Sequence, residues 1–300
     1  DVVTMDVADD NESGFTMRRV ELDFFGHVID PNLEYRVSGE FSRNGGDFDL
    51  EDAYVKYTFG DGMYVKMGQF KAPFSREELV ASEHQLVMER SNVNEFFTLG
   101  YTQGIAVTAV LQDMVKLTGA VHDGREAENV DFDQDASDIA FAGRADVKLA
   151  GNWEQFDDFQ AWSGDEMGLL VGAGIDYELA EGGQPASAAG LNFTDFIQWT
   201  VDGSFELYPF NVYVAGFGRH VDDAFDINAD QYGFVAQAGV FVIPDKMDIY
   251  GRWEWLDHSG LMEDASTPLT PTVEDQVQIF TLGTNDYFTK HDSKFTLDLQ

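Results

Sequence analysis

The 300 residues carry a formal net charge of −37, 44% hydrophobic residues, 29 Gly and no Cys. Without Cys there is no disulfide framework, thiolate metal site or Cys nucleophile, and 18 basic residues against 55 acidic ones argue against a nucleic-acid binder, which needs clustered cations on phosphate. No apolar run nears the ~18 residues of a membrane-spanning helix, the longest candidate being Gly168 to Ile175.

Asp1 opens the chain without a basic-then-apolar segment, so any export signal has been removed or lies outside this sequence. Val2 to Val7 reads as the remnant of a first strand. From Arg19 onward the pattern is period two, in segments of about ten residues, the length a tilted strand needs to cross a bilayer. Arg19, Glu21 and Asp23 share one face of the first clear segment, and Val20, Leu22 and Phe24 the other. After a turn at Asp30 to Asn32, Leu33, Tyr35, Val37 and Phe41 oppose Glu34, Arg36, Ser38 and Glu40. Val55, Tyr57 and Phe59 then oppose Asp52, Tyr54 and Lys56, and a Gly60 to Gly62 turn leads to Met63, Val65 and Met67 against Tyr64 and Lys66, a hairpin signature.

Ten further strands are expected at Gln103 to Leu111, Val115 to His122, Ile139 to Leu149, Met167 to Glu178, Phe196 to Leu207, Val212 to His220, Tyr232 to Val242, Met247 to Leu256, Val277 to Thr284 and Lys294 to Leu299, about fourteen in all. A soluble β-sandwich also alternates, but the connections here alternate too, short turns at one end and long loops at the other. Two links break the rule: 150–165 is long where a short turn is expected, and 44–47 is short where a long loop is expected. Aromatics such as Tyr57, Phe59, Trp253 and Trp255 fall near strand ends, as interfacial girdles do. Strands that meet lipid on one face must close, because every backbone polar group needs a partner there. The expected fold is an all-β transmembrane antiparallel barrel with a wet interior, one domain over 1–300.

The polar faces carry Arg19, Arg36, Lys56, Lys66, Lys116, Arg144, Lys148, Arg219, Arg252 and Lys294, together with acids including Glu21, Asp202, Glu206 and Asp248, so acid and base nearly balance inside. Arg19, Arg36, Lys56, Lys66, Arg144, Lys148, Arg219, Arg252, Glu21 and Asp202 are the expected pore lining. The acidic surplus sits in long loops, as at Asp123, Glu126, Glu128, Asp131, Asp133 and Asp135. Those last three resemble a calcium-loop spacing but lack its Gly and closing Glu. No cofactor is expected, beyond weak divalent-cation binding to these loops.

The stretch Gly68, Gln69, Phe70, Lys71, Ala72, Pro73, Phe74, Ser75, Arg76, Glu77, followed by Met88, Glu89, Arg90, Ser91, resembles the phosphate-selective porin O and P family. Gly14 with Phe15, Asp52 to Val55, Tyr250 to Trp255 and Gly283 to Phe288 are also similar. The resemblance implies a sixteen-stranded homotrimeric porin of the bacterial outer membrane, in contact with lipid and lipopolysaccharide. It further implies that 71–101 is a constriction loop, with Lys71, Pro73, Phe74, Ser75, Glu89 and Arg90 at the channel. Read without the family, that segment is a long loop with a short helix from Ser75 to Ser82. The expected function is passive diffusion of small hydrophilic solutes or ions, among them phosphate or other anions. Rival readings are an anchoring or adhesive barrel whose acidic loops bind cations or surface-layer partners, a soluble sugar-binding sandwich, and an outer-membrane hydrolase, for which the six His offer no convincing Ser and acid partners.

Overall fold

The computed structural model describes residues 3–7, 13–17, 19–42, 46–60, 62–131, 137, 139–179, 193–223, 228–257 and 276–300. Two short strands, β1 (Val3–Val7) and β2 (Ser13–Met17), pair as a separate hairpin. Fourteen more form one antiparallel sheet in strict chain order. They are β3 (Glu21–Val28), β4 (Asp30–Phe41), β5 (Phe48–Gly60), β6 (Met63–Lys71), β7 (Tyr101–Leu111), β8 (Val115–His122) and β9 (Ile139–Ala150). The series continues with β10 (Gly168–Leu179), β11 (Phe193–Leu207), β12 (Phe210–Asp223), β13 (Asn228–Ile243), β14 (Met247–Asp257), β15 (Gln276–Thr289) and β16 (Ser293–Leu299). Each expected strand from Arg19 onward is present, several running one to six residues longer.

Period two sets the faces. On one side Phe24, Ile175 and Val201 are 61%, 51% and 50% exposed, while on the other Asp176, Gln198 and Thr200 are at most 1% exposed. In water this arrangement would be inverted, since each exposed apolar Å² costs ~25 cal/mol. It suits a sheet whose outer face meets hydrocarbon.

The sheet is curled around its polar face. The segment between β6 and β7 touches both sheet edges: Ser82 Oγ lies 3.5 Å from Glu21 on β3, and Met88 N donates to Asp298 on β16 at 3.2 Å. One segment can reach both edge strands only if they have come round to face each other. Arg19 and Gln300 accordingly line one cavity from opposite sides of the seam.

Turns at one end are tight. Gln112 and Asp113 both adopt left-handed φ (53° and 52°), the type I′ geometry that matches strand twist, and Asp30 Oδ1 accepts from Asn32 N at 2.8 Å in another. The link 151–167 lies at this same end but is long, and it folds inward instead of forming a turn. The expected helix from Ser75 is one turn only, α1 (Arg76–Leu79), and a second, unexpected one follows, α2 (Asn92–Phe97). Ser91 caps α2, its Oγ accepting from Asn94 N at 2.9 Å. The loops at 180–191 and 258–275, and Asp133 and Asp135, lie outside the described residues.

Candidate pore lining and constriction

The segment 72–100 is held together by its own polar network. Ser75 Oγ donates to Asn94 Oδ1 at 2.7 Å, Asn94 Nδ2 donates to Glu78 at 2.9 Å, and Glu78 pairs with Lys71 at 2.7 Å and Arg90 at 3.4 Å. Glu77 accepts from Ser91 N at 2.6 Å and Ser91 Oγ at 2.7 Å. The two neighbouring carboxyls are driven in opposite directions. Burial pushes Glu77 up, only partly offset by Arg252 and Ser91, whereas at Glu78 the effect of burial is overcome by Lys71 and Arg90, which hold it below the usual range.

The network docks on the inner wall at defined points. Arg144 Nη1 donates to Phe74 O at 2.7 Å, Arg252 Nη1 to Glu89 O at 2.7 Å, and Asn285 Nδ2 to Leu86 O at 2.9 Å. On β10, a Cβ at Gly174 would stand 2.7 Å from Phe74 O, so the glycine leaves the space the segment fills. Phe74 and Pro73 are buried, Phe74 against Phe217, whose ring also stacks on Phe97 at 5.4 Å.

The expected lining residues all face inward but are mostly spent on one another. Arg19 lies 3.5 Å from Glu21, 3.4 Å from Glu40 and 3.9 Å from Glu89. Arg36 pairs with Asp23 and Asp52, Lys56 with Glu34 at 2.6 Å, and Lys148 with Asp113 at 2.9 Å. Arg144 takes both Asp146 (2.6 Å) and Asp202 (2.7 Å), and Arg252 lies 2.7 Å from Glu254 and 3.9 Å from Glu77. Lys66 rests instead on the rings of Tyr54 and Phe70, and Arg219 on Phe96 and Phe97 with Gln231 as acceptor. Glu21, Glu40 and Glu51 converge closely enough to share a cation, and Arg19 already supplies a counter-charge to Glu21 and Glu40.

The second inserted piece, 151–167, was unforeseen beyond its odd length. Phe156, Phe159 and Trp162 are buried, Trp162 against Phe241, Tyr287 and His291. It meets the first segment directly. Arg76 Nη2 donates to Asp158 O at 2.9 Å, and the rings of His84 and His291 lie 4.6 Å apart, His291 Nε2 being 2.9 Å from Asp158 Oδ2. Between the two segments and the wall of β8 to β10 lies a cavity of about 370 Å³, lined by Arg76, Lys116, Arg144, Asp146 and Asp157 beside an apolar strip. Arg76, Trp153 and Asp157 were missed as lining residues. Aromatics at 153, 156, 159 and 162 in a supposed turn were the available signal.

The sequence model of the phosphate-selective porin O and P family matches residues 1–291. An uncharacterized protein of Aquifex aeolicus (strain VF5) is 25% identical, covering 93% of this chain and 69% of its own. In structure, the chain is similar to the anion-selective porin from Comamonas acidovorans (TM-score 0.60, 12% identity, 95% of this chain and 81% of that one). It is also similar to OmpT of Vibrio cholerae with loop L8 deleted (TM-score 0.59, 10% identity, 93% and 84%), and to a trimer form of in-vitro folded OmpT (TM-score 0.56, 10% identity, 95% and 80%). At such identities these likenesses speak to fold, and the fold is a porin barrel. An inside-out sheet curled around an inserted segment, matched by the family over nearly its whole length, makes this chain a member of the phosphate-selective porin O and P family, an outer-membrane porin.

Proposed function

We propose that 72–100 is the constriction of a passive diffusion channel for small hydrophilic solutes, and that the channel is not dedicated to phosphate. The observation that carries this reading is charge pairing: of the eight expected basic lining residues, six (Arg19, Arg36, Lys56, Arg144, Lys148, Arg252) already lie within 4 Å of a carboxylate. A phosphate ion passing them must compete with a built-in anion at each step, whereas a selective filter presents uncompensated donors. The −37 formal charge adds an unfavourable field for anions at low salt, screened over about 8 Å under physiological conditions.

Catalysis is not part of this reading. Thr102, His122 and Asp176 line up as hydroxyl, imidazole and carboxylate (3.2 and 3.1 Å), but all three are at most 1% exposed. His122 Nδ1 also accepts from Gly124 N at 3.2 Å, which fixes the ring for structure. A homotrimer is part of the proposal, supported by the trimeric form of a structural neighbour.

The test is a planar bilayer with a KCl gradient, repeated with added phosphate. A cation-biased or near-zero reversal potential without phosphate block is expected. Anion bias with phosphate block would overturn the reading in favour of a phosphate channel, and absence of any conductance would favour an anchoring barrel.

A further inference from the structure

The 370 Å³ cavity between α1, the inserted 151–167 segment and the wall of β8 to β10 is at the small end of the ~300–1,000 Å³ typical of small-molecule sites. Its charges include a cation and a carboxylate that face each other without pairing. Lys116 has no carboxylate within 4 Å and no hydrogen-bond acceptor among the described residues, resting instead 4.4 Å from the Trp153 ring centre. Asp146, its cross-strand neighbour, is taken by Arg144 through both oxygens. Facing Lys116 from the other inserted segment is Asp157, whose carboxylate likewise has no hydrogen-bond or ion-pair partner among the described residues. The cavity thus holds two uncommitted charges of opposite sign that do not touch.

The remaining charges cancel. Arg144 stands against two carboxylates, Asp146 and Asp202, while Arg76 is held by neutral acceptors, Ser204 Oγ and the carbonyls of Phe156 and Asp158. The lining carries three cations, Arg76, Lys116 and Arg144, against the carboxylates of Asp146 and Asp157, and Asp202 behind Arg144 brings the balance to zero. An ion of either sign therefore meets a neighbour of its own sign as well as a partner. The third feature is apolar: Leu79, 42% exposed, stands with Val80 and Leu170 along the cavity wall, an unfavourable lining for hydrated ions alone.

Resting on the reading of 72–100 as the constriction, we propose that this cavity is a subsite for zwitterionic amino acids with aliphatic side chains. The carboxylate faces Lys116, the ammonium faces Asp157, and the side chain lies on Leu79, Val80 and Leu170. The solute bridges a gap between opposite charges that the protein leaves open, and its own zero net charge matches that of the site.

The experiment is liposome swelling with the purified protein, using L-leucine, sodium 4-methylpentanoate, isopentylamine hydrochloride, sodium phosphate and erythritol, with KCl conductance recorded in parallel. Leucine should enter roughly two- to fivefold faster than its singly charged analogues and erythritol, the size of effect one solvent-accessible ion pair gives. Lys116→Met and Asp157→Asn should each remove that preference, and Leu79→Ser should lower leucine entry while sparing glycine. Normal conductance with no preference for leucine in the wild type, a preference that survives both charge variants, or fastest entry of phosphate would overturn the subsite and leave the channel reading standing. Loss of both conductance and swelling for every solute would overturn the channel reading, and the subsite with it.

Discussion

Replacing Glu77 by Ala should release the constriction while leaving the barrel folded. The carboxylate is fully buried, accepts two hydrogen bonds from Ser91 at 2.6 and 2.7 Å, and lies 3.9 Å from Arg252, itself 1% exposed at the side chain. Deleting it strands a backbone N–H and leaves Arg252 with Glu254 as its remaining close carboxylate. Breaking a buried charged arrangement of this kind costs about 3–5 kcal/mol, which multiplies the undocked-to-docked ratio of 72–100 by roughly 10² to 4 × 10³ at a tenfold per 1.4 kcal/mol. The wall hydrogen bonds of the fourteen-stranded sheet are untouched, so detergent-resistant folding should persist. Single-channel recording should show larger and noisier steps than wild type. Glu77→Gln, which keeps one acceptor and the shape, should fall between. Wild-type step size and noise in Glu77→Ala would refute the claim that this carboxylate holds the segment in place.

Other changes probe the same architecture. Gly174→Leu places a Cβ 2.7 Å from Phe74 O and 3.0 Å from Thr200 Cγ2, so the start of the constriction segment must leave the wall, and conductance should rise. Trp162→Ala removes the ring that packs on Phe241, Tyr287 and His291, a loss of about 3–5 kcal/mol; limited proteolysis of the reconstituted protein should then cut within 151–167, where wild type resists. Acid should act through Glu78. Its carboxyl is held below its usual value of 4.5, so the folded segment binds this proton less readily than the released one. The contribution is present above pH 4.5 and is lost as pH falls through the lower folded value. Step noise should therefore grow only well below pH 4.5, and Glu78→Gln should show elevated noise already at neutral pH.

The wall of the barrel was legible because period two is a local property. A strand that meets lipid on one face and water on the other announces its register in ten residues, and pairs set by that register, such as Lys56 with Glu34 and Arg36 with Asp23, follow from adjacent strands. The contents of the lumen were not legible in the same way. Arg144 meets Asp202 across 58 positions and Asn92 meets Glu254 across 162, and nothing in either neighbourhood names the other. The near balance of acid and base was readable in the sequence, but which charge meets which across the lumen was not. The motif around Lys71 to Ser91 gave the place of the inserted segment, but α1 is a single turn because Arg76, Glu77 and Glu78 spend their side chains on distant partners, and α2 was missed although Ser91 and Asn94 are a readable cap.

Departures from polar-inside alternation carried the remaining signal. On β12 the inward positions are Asn211, Tyr213, Ala215, Phe217 and Arg219, so both faces of this strand are rich in apolar residues. Such a strand cannot line open water along its length. Tyr213 receives Phe159 at 4.8 Å, and Phe217 receives Phe74 and Phe97. Inward glycines mark the same thing by absence: Gly174 faces Phe74, Gly233 faces Val93 and Phe97, and Gly239 faces Leu86, each a place where a side chain would collide with an inserted segment. Aromatics and glycines on the face that should be polar, concentrated on β10, β12 and β13, place the docked segments against that side of the barrel. Lys116 and Asp157, neither of them ion-paired among the described residues, flank the gap that these segments leave, and a count of paired wall charges passes over both.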